Sequence, residues 1–345
     1  MPGLKKVVEI VDRKIGSGNP VFIIAEAGVN HFGNIEIAKH LIDMAVIARA
    51  DAVKFQIFKT ENLVSSVAPD WIERLKPKEL PYNAFKYLKE FCDKKGIIFL
   101  ASAHDEESLD FYSSLNPPAY KIGSGEVSNA GYLRKVAEFK KPVILSTGMY
   151  DMDDVRDAVD IFLSEGSNSL IILHCITCYP PAPEDINLRA INTLQKEFGC
   201  PVGYSDHTIG NDIVLAAVAI GASIIEKHIA VSRNAPGSQD CLVSCDDKGL
   251  IEMVNSIRKI EKAIGNGNKV PSEREMKSKD WARKSIVAKV DIKKDDLITR
   301  DMLTLKRPGT GISPKNILKV IGHRAKRTIK ADSLLKFEDI IQGGK

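Results

Sequence analysis

In residues 201–230, "PVGYSDHTIGNDIVLAAVAIGASIIEKHIA", two short apolar runs flank a segment with helical spacing. The runs at 201–206 and 223–230 show little in-and-out alternation. That absence reads as strands buried on both faces. Strand, helix and strand in this order make one parallel crossover unit. The same stretch sets Ser205, Asp206 and His207 side by side. Adjacent side chains on a strand end point to opposite faces, so adjacency alone does not make them a nucleophilic triad. A metal site needs a second ligand from elsewhere in the chain.

The unit repeats outward from this stretch. Apolar runs precede it at 21–28 ("VFIIAEAG"), 50–56 ("ADAVKFQ"), 96–103 ("GIIFLASA"), 119–126 ("AYKIGSGE"), 142–148 ("PVILSTG") and 170–177 ("LIILHCIT"). Helical spacing follows several of them, as in "IEIAKHLIDMAVIARA", "ESLDFYSSL", "DDVRDAVDIFLSE" and "GLIEMVNSIRKIEKAIG". Asp105 and Asp151 stand where helix N-caps are expected. Eight strands alternating with eight helices predict an α/β fold, a (β/α)8 TIM barrel over residues 1–265. A doubly wound open sheet is the runner-up. It uses fewer strands, and "AEAGVNHFGN" is not the GxGxxG of its nucleotide-binding form. Gly, Asn, Pro and charge mark a linker at 266–282, and a small β-rich unit follows at 283–345. A core that small is marginal alone and calls for a surface to dock on.

With 44% hydrophobic residues in 345, a full core is available. No apolar run reaches the roughly 18 residues of a membrane span. "MPGLKKVVEIVDRK" does not read as a signal peptide, so the expected location is cytoplasmic. A net charge of +4 without a basic block argues against nucleic acid and suits a small anionic substrate. Cys175 and Cys178 form a CxxC, and Cys241 and Cys245 a CxxxC. Zinc there is one reading. Cys175 lies inside an apparent strand, and reduced, mostly buried thiols are the plainer one.

A TIM barrel carries its active site at the C-terminal ends of the strands. Those ends hold Glu26, Lys54, Gln56, Ser102, Lys121, Ser124, Glu126, Ser146, Thr147, Thr177, Tyr179, Ser205, Asp206, His207, Glu226 and His228. Buried charges cost several kcal/mol unless paired, so a full ring of them is hard to explain as packing. His207 and His228 end neighbouring strands. Two imidazoles without a thiolate suit Mn²⁺, Zn²⁺, Co²⁺ or Fe²⁺, with water and substrate completing the shell. Two hydrogen-bonded structural histidines are the alternative. Lys54 and Lys121 read as Schiff-base lysines, as phosphate and carboxylate clamps, or as ion-pair partners. Glu26 and Glu126 read as acid/base groups, as hydroxyl ligands, or as structural carboxylates.

Taken together, "IIAEAGVNHFGN", "AVKFQ", "YKIGSGE", "ILSTGM", "LHCITCYPPAPEDINLR", "VGYSDHTIG", "IEKHI" and "KRPGTGI" resemble, in order, the N-acetylneuraminate (sialic acid) synthase family. The resemblance spans essentially the whole chain, and the tail is similar to that family's antifreeze-like (SAF) domain, a β-clip. It implies a transferase that condenses phosphoenolpyruvate with open-chain N-acetylmannosamine and water, giving N-acetylneuraminate and phosphate. The same reaction on a 2,4-diacetamido-2,4,6-trideoxy hexose or on N-acetylmannosamine 6-phosphate lies in the family's range. "SGE" and "RPGTG" lean to the neuraminate or legionaminate branch. By the resemblance, His207 and His228 hold a divalent metal, usually Mn²⁺, with Mg²⁺ or Co²⁺ as alternatives. Lys54, Ser102, Lys121, Ser124, Ser146, Thr177 and Ser205 grip phosphoenolpyruvate. Glu26, Gln56, Glu126, Tyr179 and Asp240 face the sugar. Arg307 and Trp281 are supplied by the partner of a domain-swapped homodimer. The chain departs from the family at "LASAH", where His104 follows Ser102, and at Thr177, where some members carry Asn. It departs again at "NAPGSQD", with an extra residue before Asp240. A Schiff-base aldolase and an ice- or glycan-binding tail are the rival readings.

Overall fold

The computed structural model describes residues 3–235 and 238–341, without the side chain of Gln239. The extra residue expected in "NAPGSQD" falls partly at 236–237, outside the described residues. The chain divides into two compact units, Met1–Gly265 and Asn266–Lys345.

The first unit is a (β/α)8 barrel. Its strands are β1 (Phe22–Gly28), β2 (Ala52–Ile57), β3 (Ile98–Ala103), β4 (Tyr120–Ile122), β5 (Val143–Ser146), β6 (Leu170–Cys175), β7 (Val202–Asp206) and β8 (Ile224–His228). The helices between and after them are α1 (Ile35–Ala48), α2 (Tyr82–Lys95), α3 (Glu106–Ser114), α4 (Ala130–Glu138), α5 (Met152–Ser164), α6 (Ala190–Phe198), α7 (Asp212–Ala219) and α8 (Asp247–Ile264). All paired barrel strands are parallel, in the order β3-β2-β1-β8-β7-β6-β5-β4. The first and last strands pair through His228 and Glu26, while β3 and β4 touch without a hydrogen-bonded ladder. The expected strand at 119–126 is cut to three residues, because Ser124–Glu126 turns as a 3-10 helix.

The helices start where their caps dictate. Asn34 accepts from the Glu36 and Ile37 amides, Asp105 from Ser108, and Asp151 closes a capping box with Asp154. Outward strand residues and inward helix faces form the main core, including Phe55, Phe85, Tyr112, Phe162 and Tyr204. Inside the barrel, Phe22, Ile24, Leu100, Ile144, Ile171 and Ile224 pack on Val8, Ile10 and Ile15. Those last three belong to an antiparallel hairpin, Val8–Ile10 with Arg13–Ile15, that seals the floor.

In the second unit, β9 (Ser285–Ala288) pairs antiparallel with β10 (Leu303–Lys306) around a core of Ile286, Ile292, Ile298, Ile312, Val320 and Leu335. Its remaining pairings are isolated bridges. The expected linker is partly helical: α9 (Glu273–Ala282) is capped by Ser272 and carries Glu273 and Glu275 in its first turn. It buries no residue, so it left no apolar period to detect. No helix among the described residues is long and apolar enough to cross a membrane.

Candidate active site at the barrel mouth

Successive inward positions on a strand lie two residues apart, or about 6–7 Å of rise. On β1 they are Phe22, Ile24 and Glu26, and on β8 Ile224, Glu226 and His228. On β6 they are Ile171, Leu173 and Cys175. The lower layers are apolar and meet the floor hairpin. The top layers are polar and open into a cavity of about 320 Å³. Gly203 lets β7 and β8 approach closely, since a Cβ there falls 2.1 Å from the Ile224 carbonyl oxygen.

Four buried charges alternate across this cavity. The Lys54 ammonium lies 2.8 Å from Glu26 Oε1, 3.2 Å from Ser102 Oγ and 3.8 Å from Glu226 Oε2. The Lys121 ammonium donates to Ser146 Oγ at 2.7 Å and lies 3.5 Å from Glu226 Oε1. Ser205 donates to that same Glu226 oxygen at 2.9 Å. The second oxygens of Glu26 and Glu226 are buried without a hydrogen-bond partner. Burial lifts Glu26 to about 7 against the pull of Lys54. Burial also opposes ionisation of Glu226, but Lys121 and Lys54 outweigh it and hold that carboxyl down at about 2. Lys54 is raised, because Glu226 and Glu26 outweigh its burial, whereas burial lowers Lys121.

Two histidines sit beside the charges with ring centroids 5.5 Å apart, and Tyr179 stacks on His207 at 4.0 Å. Burial, aided by His228, holds His207 down to about 4, and burial lowers His228 as well. His207 Nδ1 lies 2.7 Å from the Ile176 carbonyl oxygen, which can only accept. The proton is therefore on Nδ1, and Nε2 carries a free lone pair. His228 Nδ1 is buried without a partner. Two neutral imidazoles with lone pairs to give fit a divalent first-row cation. Among the described residues no group of three or more His, Cys, Asp and Glu forms a ready cage.

The structure brings Glu26, Lys54, Gln56, Ser102, Lys121, Ser124, Glu126, Ser146, Thr177, Tyr179, Ser205, His207 and His228 to this one cavity. Gln56 Nε2 reaches Glu26 Oε1 at 3.4 Å. Ser124 Oγ accepts from the Gly148 amide at 2.9 Å. Glu126 accepts from Asn129 and is raised by burial. Asp240, in the short helix Gln239–Val243, does not line the cavity, but its charge is felt by Lys54, Tyr179 and His228. Trp281 and Arg307 belong to the second unit, where the guanidinium lies 5.9 Å from the indole centroid.

Asp206, counted among the strand-end groups in the sequence, faces away from the cavity. It pairs with the fully buried Lys227 at 2.5 Å and takes the Thr208 amide and hydroxyl. The Ser205–Asp206–His207 run is thus split between the two faces. Glu226 has the opposite history. It links both lysines and Ser205, yet the sequence reading gave it no role. Its place two residues before His228, on the same strand face, was the available signal. Cys175 lines the cavity as a thiol that burial pushes up to about 11, and among the six cysteines only Cys178 is exposed.

Comparison with known proteins agrees with this geometry. The NeuB family profile matches residues 41–269, and the SAF domain profile matches 283–341. The N,N'-diacetyllegionaminic acid synthase of Legionella pneumophila is 41% identical, over 94% of this chain and 96% of that protein. The human N-acetylneuraminate-9-phosphate synthase is 35% identical, over 96% of each chain. The N-acetylneuraminic acid (sialic acid) synthetase of Leptospira borgpetersenii, solved with citrate, superposes with a TM-score of 0.75 and 37% identity. That match covers 81% of this chain and 96% of that one.

Proposed function

This chain belongs to the NeuB family, and from that premise we propose that it condenses phosphoenolpyruvate with an N-acylated mannosamine-type aldehyde and water, releasing inorganic phosphate. The acceptor is N-acetylmannosamine, with a 2,4-diacetamido-2,4,6-trideoxy hexose or N-acetylmannosamine 6-phosphate as the alternatives. The observation that carries this reading is the cavity's own charge pattern: two buried ammonium groups, each backed by a serine hydroxyl, face the cavity at the barrel mouth. Paired cations with hydroxyl donors suit a small molecule bearing both phosphate and carboxylate. A sugar alone does not call for them.

In the reaction, carbon 3 of phosphoenolpyruvate attacks the aldehyde carbon, and the aldehyde oxygen takes up a proton. Water adds to carbon 2 and loses a proton. The resulting tetrahedral carbon collapses to a ketone as its phosphate leaves with the bonding pair. Lys54 and Lys121 hold the donor's charges, while Ser102, Ser124, Ser146, Thr177 and Ser205 supply hydroxyls around it. Glu26, held at about 7 by burial, is poised near neutrality to exchange the proton at the acceptor end. Glu126, on the turn at the mouth, is the second carboxyl available to the attacking water. His207 and His228 are the residues that would hold a divalent cation, Mn²⁺ by preference, which supplies Lewis acidity toward the aldehyde when bound. Gln56 and Tyr179, which line the cavity, are assigned to the acceptor, and Asp240, outside the lining, acts on it through its charge. We further infer a domain-swapped homodimer in which Arg307 and Trp281 reach the partner's acceptor site. Their shared exposure is consistent with that role, Trp281 being 60% exposed.

The test is phosphate release from phosphoenolpyruvate with Mn²⁺ and a panel of N-acylated hexosamines, with and without EDTA. Release that requires both one sugar and the metal supports the reading. Release without metal, or covalent trapping of Lys54 or Lys121 by borohydride, replaces it with a Schiff-base reaction.

A further inference from the structure

His104 is the one cavity-lining imidazole that the proposed reaction leaves without a task. It follows β3, two residues past Ser102 on the same inward face. That step puts it about 6–7 Å nearer the mouth. Ser102 and the lysines form the layer below, where the phosphate and carboxylate of the donor belong. His104 lines the same cavity as Glu126 and Tyr179.

The backbone that carries it is fixed on both sides. The His104 amide donates to the Ile57 carbonyl at 3.0 Å, and the next residue, Asp105, caps α3 while accepting from the Lys59 amide. The ring packs against the backbone at Gly123, where an added Cβ would sit 3.4 Å from His104 Cε1, ordinary contact distance. Neither ring nitrogen is hydrogen-bonded among the described residues, and neither is sealed from the cavity. Burial, with Lys54 and Lys121 nearby, holds the ring down to about 4. It therefore offers one donor and one acceptor and no charge. A phosphate ester gains little from such a group, whereas a hydroxyl or an amide matches it on both counts.

We propose that His104 selects the acceptor: its imidazole hydrogen-bonds an uncharged polar substituent, a hydroxyl or acylamino group, of the sugar. This rests on the synthase reading above. The experiment measures steady-state phosphate release by full-length wild type, His104→Phe and His104→Gln. Each is assayed with Mn²⁺ and phosphoenolpyruvate on the panel sugar that wild type uses fastest. Loss of one matched hydrogen bond predicts a KM for the sugar raised about tenfold or more in His104→Phe. The KM for phosphoenolpyruvate stays within about twofold, and His104→Gln, which keeps a donor and an acceptor, retains most of the affinity. If phenylalanine crowds the Gly123 turn and the variant unfolds, His104→Ala takes its place with the same expectation. An unchanged sugar KM, or a change in the phosphoenolpyruvate KM alone, overturns the assignment while leaving the synthase reading intact. Wild type that releases no phosphate with any sugar overturns both.

Discussion

Glu26 allows a stability prediction that does not depend on the substrate. Its side chain is 2% exposed, and its carboxyl titrates near 7 instead of near 4.5 because burial outweighs the help of Lys54. Between those values the unfolded chain has already lost this proton and the folded chain still holds it. Stability therefore falls as pH rises from 4.5 to about 7, and the loss is complete above that range. At about 1.4 kcal/mol per pH step, the loss from this one group is about 3 kcal/mol. Glu26→Gln mimics the protonated form and has no proton to lose. The variant should thus gain about 3 kcal/mol on wild type between pH 4 and pH 8, whatever the constant offset between them. The assay is urea unfolding followed by far-ultraviolet circular dichroism in EDTA, both proteins at each pH. Titration of His31, His104, His207 and His228 affects both alike and cancels in the difference. Glu226, held at about 2, is ionised throughout this window in both. A difference that stays flat, or one that falls with pH, would show that Lys54 keeps Glu26 ionised and would refute the argument from burial.

Other outcomes can be checked alongside. Lys227→Met strips the ammonium that pairs with buried Asp206 and should cost about 3–5 kcal/mol in urea unfolding, while the double change Asp206→Leu with Lys227→Met should recover most of it. An additive double variant would deny that the pair is coupled. Gly203→Ala forces a methyl to within 2.1 Å of a β8 carbonyl oxygen and should lower the unfolding midpoint or prevent folding; an unchanged midpoint would mean the two strands can part at no cost. His207→Ala and His228→Ala should each abolish Mn²⁺ binding in isothermal titration calorimetry. Retained binding in either variant would move the cation site elsewhere.

Much of the barrel is legible because its strands are buried on both faces, so eight apolar runs stand out from the helices. What stayed hidden has physical reasons. The floor hairpin is built of two three-residue strands, Val8–Ile10 and Arg13–Ile15, too short to show a period. Helix α9 buries nothing and so carries no apolar stripe. Most of the site was legible as well, because a TIM barrel concentrates its chemistry at strand ends. Which face each residue takes was harder to read. Asp206 and Glu226 both sit near the tops of adjacent strands, yet one points out and the other in. The register that decides this, with the irregularity between Glu26 and Gly28, is a property of the paired strands and not of any one of them.

That difference of face separates two buried ion pairs of the same chemistry. Outside the barrel, both Asp206 oxygens are engaged: one takes the Thr208 amide, and the other takes the Thr208 hydroxyl and the Lys227 ammonium. Lys227 in turn also donates to the Thr208 carbonyl. No oxygen is left without a partner, and the pair joins the ends of β7 and β8, the strands that lead to His207 and His228. Inside the barrel, Glu26 and Glu226 each keep one buried oxygen without a hydrogen bond, and His228 Nδ1 lacks one too. A buried polar atom left unpaired costs roughly 1–3 kcal/mol, so a structural cluster would be expected to close itself as the outer pair does. The inner cluster does not close itself in this way, and its residues line a cavity instead, which a binding site requires and a purely structural cluster does not.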